Sequence, residues 1–452
     1  RFKKDILLVE PLFPTKTKSK NHKNFLPIGL LKLASYYKRK NYIVELVRGK
    51  AEPTKFDIPS KIEITSLFTY WSEHVWDCVE FYREQFPDSK KTNIRIGGIY
   101  ASLRHNDPDF QEKCRKYKVT TFEGVHKHAE AHPPDYRLVM NGENNIDYQI
   151  VHSSRGCFRE CAFCGTWIIE PEFEPKKNIK TIIEPGLELG LKNLVFYDNN
   201  LLYNPYIEEL LEELIDLKKQ KRIGWCESQS GFDGKLLLKD PELATMLKKA
   251  GFREPRIAWD WGYEHHPQVE KQIQILEEAG FHHKDIYIFM IYNWNLDFEE
   301  MEKKRIKCHE WKVQIADCRN RPLTQLHDHY KPLKDQSDGN EYHINENWTD
   351  AEVKEFRKNV RRQNIIVRQG LRYHSKFLEN KDNFTREQFR VLKAMSIEDA
   401  RKYLPDAWEP SEITPPKNRE KWTVEKEKLN PIPLIFDMTF TLHKISPIIQ
   451  MR

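Results

Sequence analysis

The chain has 452 residues, which at roughly 150 residues per domain implies two to four domains. With 39% hydrophobic and 12% aromatic residues it buries a sizeable core, so wholesale disorder is excluded. A net charge of +6 over this length is small: it admits an anionic small molecule and does not require nucleic acid as a partner.

Residues 5–10 (DILLVE) are a short apolar run ended by Pro11, as in a buried parallel strand. Residues 29–40 carry helical spacing. Residues 42–47 (YIVELV) and 62–66 (IEITS) are strand-like, 74–85 is amphipathic, and 93–97 (NIRIG) is a fourth strand ended by Gly98. Residues 120–122, before Glu123-Gly124, give a fifth. Strands separated by crossover helices specify a doubly wound parallel sheet, which takes ligands outside the carboxyl ends of its strands.

The polar, proline-bearing stretch 129–143 is predicted as a linker. Beyond it the alternation resumes. Strand-like runs at 148–152, 193–197, 224–227, 256–260, 285–292 and 313–317 are separated by helical stretches at 205–219, 241–250, 269–279 and 298–311. Strand–helix units in this number fit a partial (β/α)6 barrel, whose chemistry sits at the carboxyl ends of the strands. After Leu323 the pattern breaks down. Thr349 with Glu352 makes a capping box that opens a helix over 349–367, and shorter helices are predicted at 385–395 and 397–403. The basic residues Arg357, Lys358, Arg361, Arg362 and Arg368 on the long helix read as a solvated or salt-bridged face, with nucleic acid a minor alternative. The expected organisation is a doubly wound domain over 1–135, a barrel over 145–325 and a mainly helical extension over 326–452.

No run approaches the roughly 18–20 apolar residues that span a bilayer, so no membrane association is expected. The most apolar stretch, 431–442, holds two prolines and Asp437 and is predicted as a strand or docking tail. The chain starts at Arg1 without a signal-peptide pattern, which is read as a trimmed end. Of the 8 cysteines, Cys157, Cys161 and Cys164 cluster while Cys78, Cys114, Cys226, Cys308 and Cys318 are scattered, an arrangement that points to a ligand site in a reducing cytoplasm.

The cluster lies in Ser154-Arg155-Gly156-Cys157-Phe158-Arg159-Glu160-Cys161-Ala162-Phe163-Cys164-Gly165, on the loop after the first barrel strand. Three thiolates at this spacing suit three irons of a [4Fe–4S] cubane and leave one iron open. The competing ligand is zinc, which wants a fourth donor such as His152 or a distant cysteine. Cys-x3-Cys-x2-Cys with an aromatic before the last cysteine, on the first loop of a partial barrel, resembles the radical S-adenosylmethionine (SAM) superfamily. That resemblance implies that Cys157, Cys161 and Cys164 ligate the cluster and that Phe163 lies beside the adenine of SAM. It further implies that the open iron chelates the SAM amino and carboxylate groups, and that an electron from the cluster yields methionine and a 5′-deoxyadenosyl radical. Asp198, Asn199 and Asn200 would face the SAM amino group, and the run Glu227, Ser228, Gln229, Gly231, Asp233 the ribose and methionine. Arg256 beside Asp260 would reach the SAM carboxylate. Arg319 and Arg321, after the sixth strand, invite an anionic ligand or a plain salt bridge.

A doubly wound domain ahead of such a barrel resembles the cobalamin-binding radical SAM class. Ser66, Gly97, Gly98, Glu123 and Gly124 stand at the strand ends that would meet the cofactor. The Asp-x-His-x-x-Gly signature for a lower axial histidine is absent. Phe68, Tyr70 and Trp71 either shield the cobalt face or fill the pocket. The first expectation is therefore cobalamin-dependent methylation of an unactivated carbon on a small-molecule or peptide substrate, with an external flavodoxin- or ferredoxin-type electron donor. The second drops cobalamin and leaves rearrangement, epimerisation or transfer of a piece of SAM, with the first domain as lid or dimer surface. A third is a non-catalytic interaction protein stabilised by zinc or a cluster. No cysteine follows Cys318, so a single cluster is expected.

Overall fold

The computed structural model describes residues 5–14, 26–140, 146–379 and 384–411, together with 413 and 416. The predicted tail at 431–442 lies outside the described residues. The chain is mixed α/β with a five-stranded parallel sheet at its amino-terminal end. Its strands are β1 (Asp5–Glu10), β2 (Ile43–Arg48), β3 (Lys61–Ser66), β4 (Asn93–Gly98) and β5 (Thr120–Thr121), in the order β2-β1-β3-β4-β5. Strand β1 is buried on both faces. Ile6 and Leu8 pack with Leu30, Ala34 and Tyr37 of helix Ile28–Arg39. Leu7 and Val9 pack with Val75, Val79 and Tyr82 of helix Ser72–Gln85. Period-two alternation against helices on both sides is what a crossover-connected parallel sheet requires.

Residues 129–140, the described part of the predicted linker, are instead packed structure. Residues Lys127–Glu130 and Arg137–Met140 are short helices, and Tyr136 is 1% exposed with its hydroxyl on the Ile150 backbone. Four-residue helices carry no periodicity that a sequence pattern can register.

The next strands are β6 (Tyr148–Val151), the short antiparallel pair β7 (Ser154–Arg155) and β8 (Glu174–Pro175), β9 (Asn193–Phe196) and β10 (Cys226–Ser228). They are followed by β11 (Arg256–Ala258), β12 (Tyr287–Tyr292) and β13 (Gln314–Arg319). They form two parallel three-stranded sheets, β10-β9-β6 and β11-β12-β13. Isolated parallel bridges, Cys226–Phe252 and Phe232–Ile257, link the two facing edges. The carboxyl ends of these strands, and of the first sheet, carry the loops described next.

Helix Asp350–Gln369 begins with the capping box of Thr349 and Glu352 and lies against β13 and helix Phe298–Glu310. Arg305 is fully buried there, held by Glu302 and by the Gln363 side chain. Its basic residues are mostly paired: Lys358 with Glu355, Arg361 with Glu379.

Candidate functional site

The three clustered cysteines sit on a loop clamped at its base. After β6 the chain enters β7, turns at Gly156, runs through the cysteines into helix Thr166–Ile169, and returns as β8 beside β7. Gly156 has φ +74°, and a Cβ there would stand 2.2 Å from the Glu172 carbonyl oxygen, so only glycine fits. Glu170 closes the loop from within: its carboxylate accepts from Gly156 N at 2.8 Å, Arg155 Nη1 at 3.1 Å and Asn199 Nδ2 at 3.3 Å.

Cys157, Cys161 and Cys164 are all half-buried, and the neighbouring sulfurs bias the ionisation of Cys157 and Cys161. Burial pushes the Cys157 and Cys161 thiols up, with the neighbouring sulfurs adding to it. Opposing this, Arg159 N donates to Cys157 Sγ (3.4 Å), which favours its thiolate; Thr166 N likewise points at Cys164 Sγ (3.5 Å). Among the described residues no three His, Cys, Asp or Glu side chains close around a single ion. Zinc bonds of about 2.3 Å would draw the sulfurs tightly together; a cubane holds them further apart. The donor set is sulfur only and suits iron–sulfur ligation.

Arg159, which carries no mark of a role in the sequence, fixes this loop to the second sheet. Its Nε and Nη2 both donate to Asp233 Oδ2, at 3.0 and 2.6 Å, and Asn200 Nδ2 reaches the same oxygen at 3.2 Å. Asn200 Oδ1 and Gln229 Oε1 remain buried without a hydrogen-bond partner among the described residues. They stand just past β9 and β10, and buried acceptors left open in this way suit a ligand that brings N–H or O–H donors. Phe163 meets Trp294 edge-on at 5.2 Å. Asp260, just past β11, is pushed up to about 6 by burial, with the Lys304 ammonium partly countering.

Two expected SAM contacts are spent elsewhere. Asp198 is fully buried, and its carboxylate accepts from Ser153 Oγ (2.7 Å), Ser154 Oγ (2.8 Å) and Ser153 N (3.1 Å). It therefore anchors the stem of the cysteine loop. Arg256 is likewise buried, donating to Glu227 Oε1 at 2.5 Å and the Ser228 carbonyl at 2.8 Å. Desolvation drove this guanidinium to the nearest carboxylate on the adjacent strand, so it is not held out for a SAM carboxylate. Asn199 is shared between Glu170 and Thr166.

At the first sheet, Ser66 Oγ donates to Gly97 O at 2.7 Å and accepts from Ala101 N at 3.0 Å. Gly98 has φ +95°, and a Cβ would meet Ser66 O at 2.2 Å. Ser102 Oγ joins Gly98 O to Gly124 N, and a Cβ on Gly124 would come 3.2 Å from Ile169 O. Glu123 is half-exposed, 3.9 Å from His105 Nε2. Gly97 keeps an open face, with Phe122 no nearer than 3.8 Å from a built Cβ. The polar atoms expected to cradle cobalamin are thus mostly engaged within the fold. Leu103 packs on Gly165, 3.2 Å from a Cβ placed there. The space left is a cavity of about 360 Å³, lined by Phe68, Tyr70, Ile99, Leu103, Cys164 and Cys318 among others. That is near the lower bound of ordinary ligand pockets, roughly 300–1,000 Å³, and the hydroxyls of Ser66 and Ser102 at this end of the sheet are already hydrogen-bonded within the fold. A second cavity of about 360 Å³ shares Phe163, Asn320, Arg321 and Leu323 with the first.

No family model matches the chain, and no curated protein matches it. Among solved structures, the apo, selenomethionine-labelled cobalamin-dependent S-adenosylmethionine radical enzyme OxsB is similar at 13% identity and a TM-score of 0.46. The match covers 69% of this chain and 52% of that one, so the chain spans about half the length of its structural relative. A likeness that loose fixes no chemistry. Among the described residues no helix is long and apolar enough to cross a membrane.

Proposed function

We propose that the chain is a radical SAM enzyme. In this reading residues 145–325 are a partial (β/α)6 barrel, 1–135 a Rossmann-like domain closing one side of the site, and 326–452 a mainly helical extension. The carrying observation is the loop of Cys157, Cys161 and Cys164: three neighbouring sulfurs at the carboxyl end of β6, two of them facing backbone N–H groups. When bound, a [4Fe–4S] cluster supplies the electron that splits the sulfonium of SAM into methionine and a 5′-deoxyadenosyl radical. The chain's own residues do the rest. Arg159, Asp233 and Glu170 hold the loop in register. Asn200 and Gln229 offer acceptors to the ammonium and hydroxyl groups of SAM, and Phe163 gives the adenine an apolar wall. The substrate, a small molecule or peptide, enters the cavities beside Phe163, where Tyr70, Leu103 and Trp294 exclude water.

Hydrogen abstraction there leads to rearrangement, epimerisation or transfer of a SAM-derived group. Methylation through cobalamin is the less favoured route, because Ser66 and Ser102 at the end of the first sheet spend their hydrogen bonds within the fold. An external flavodoxin- or ferredoxin-type donor and a reducing cytoplasm complete the proposal, in keeping with eight free thiols. Anaerobic reconstitution with iron and sulfide, then reduction with SAM present, tests it. The wild type is expected to release 5′-deoxyadenosine and Cys157→Ala to fall to background; undiminished cleavage by Cys157→Ala rejects the assignment. Cobalamin that stays with the chain through size exclusion would reinstate the methylation reading.

A further inference from the structure

Neither cavity beside Phe163 has a carboxylate on its wall; the formally charged side chains that line them are Arg319 and Arg321. Both leave the end of β13 and both turn to one acid. Arg319 Nη2 donates to the two oxygens of Asp328 at 2.7 and 2.6 Å, and Arg321 Nε donates to Asp328 Oδ2 at 2.6 Å. A single carboxylate therefore answers for two guanidiniums. The remaining nitrogens of Arg319, Nε and Nη1, are buried with no hydrogen-bond partner among the described residues, on a side chain only 2% exposed. Tyr330 and Tyr342 flank that guanidinium at 4.5 and 4.9 Å, and Tyr70 flanks Arg321 at 4.7 Å. Other nearby acids have cations of their own: Asp350 holds Lys354, and Asp317 faces Arg357 at 4.0 Å.

A buried guanidinium with open N–H groups is costly unless an anion completes it. Its planar donors match the oxygens of a carboxylate or phosphate. We infer that Arg319 and Arg321 form an anion subsite, so that the molecule treated beside the cysteine loop carries a carboxylate or phosphate group. Its skeleton then extends toward Phe163 and Cys164, which line the same cavity. What happens to the molecule rests on the radical SAM proposal; the binding does not.

The test titrates the 452-residue chain by calorimetry with inorganic phosphate and, separately, with succinate. It compares wild type, Arg319→Lys, Arg321→Gln and the cluster-deficient Cys157→Ala. One saturable site per chain is expected for at least one anion, and the preferred anion tells phosphate from carboxylate. Its affinity is expected to fall at least about tenfold in Arg321→Gln, whose native side chain is 29% exposed. It should persist in Cys157→Ala. Binding that is absent, unchanged in both arginine variants, displaced by SAM, or lost with Cys157 overturns the inference. Intact anion binding in a chain that forms no 5′-deoxyadenosine would instead refute the radical SAM proposal alone.

Discussion

Arg155, two positions before the first clustered cysteine, donates through Nη2 to Glu130 at 2.6 Å and so ties the cysteine loop to a helix that follows the first sheet. Lys32 reaches the same carboxylate at 2.6 Å and Lys176 at 3.2 Å. Burial lowers the Lys32 ammonium to about 7, with Glu130 opposing, and the surrounding cations hold Glu130 far below the usual carboxylate range against its own burial. Glu130→Gln leaves three cations around a neutral amide. Breaking a buried ion pair on one side costs about 3–5 kcal/mol, so urea denaturation is expected to show a loss of that order. Cluster content after reconstitution should fall with it.

Asp198→Asn tests the stem of the loop. The amide keeps one acceptor but turns a donor toward the Ser153 N–H or the serine hydroxyls. One mismatched buried donor costs about 1–3 kcal/mol. A shift of the denaturation midpoint without loss of secondary structure, accompanied by poorer iron retention, is the expected result. Unaltered stability would mean that the carboxylate does not carry the stem.

The Asp260 carboxyl gives a pH signature. With a folded value near 6 against an ordinary 3.8, the folded chain binds more protons than the unfolded one between those values. Its favourable contribution is complete below about 3.8 and lost as pH rises through 6. Asp260→Asn is therefore expected to match wild type near pH 4 and to exceed it above pH 7 by about 1–2 kcal/mol, after a discount for partial exposure. Denaturation of the cluster-free chain across this range checks it; a gap that narrows as pH rises contradicts the assignment.

Two glycines make a contrasting pair. Gly98→Ala forces a Cβ into the Ser66 carbonyl at positive φ and is expected to cost about 1–3 kcal/mol or more. Gly29→Ala, inside a helix with nothing within 4 Å of the new Cβ, is expected to stabilise by about 0.5–1 kcal/mol. Thermal melts of the two variants read both signs.

Two strands of the first sheet were legible because each buries an apolar run of its own length, DILLVE and IEITS, whereas the helices Ile99–Leu103 and Pro108–Tyr117 were not read from the sequence. The capping box of Thr349 and Glu352 was legible because both partners lie within one turn. The cysteine loop was legible from spacing alone. What escaped was non-local. Arg159 finds Asp233 across 74 positions and Lys32 finds Glu130 across 98. A charged residue carries no local mark of its partner. Arg256 was placed correctly at a strand but assigned to a ligand, because sequence does not reveal that Glu227 lies beside it on the neighbouring strand. The open nitrogens of Arg319 become visible only when its neighbours can be counted.

The most direct measurement is the iron and acid-labile sulfide content of the anaerobically reconstituted 452-residue chain, set beside that of Cys157→Ala. About four irons and four sulfides per chain, lost in the variant, are expected of a cubane held by three sulfurs. One tightly held zinc per chain with no sulfide, or iron uptake that ignores the loss of Cys157, would contradict it.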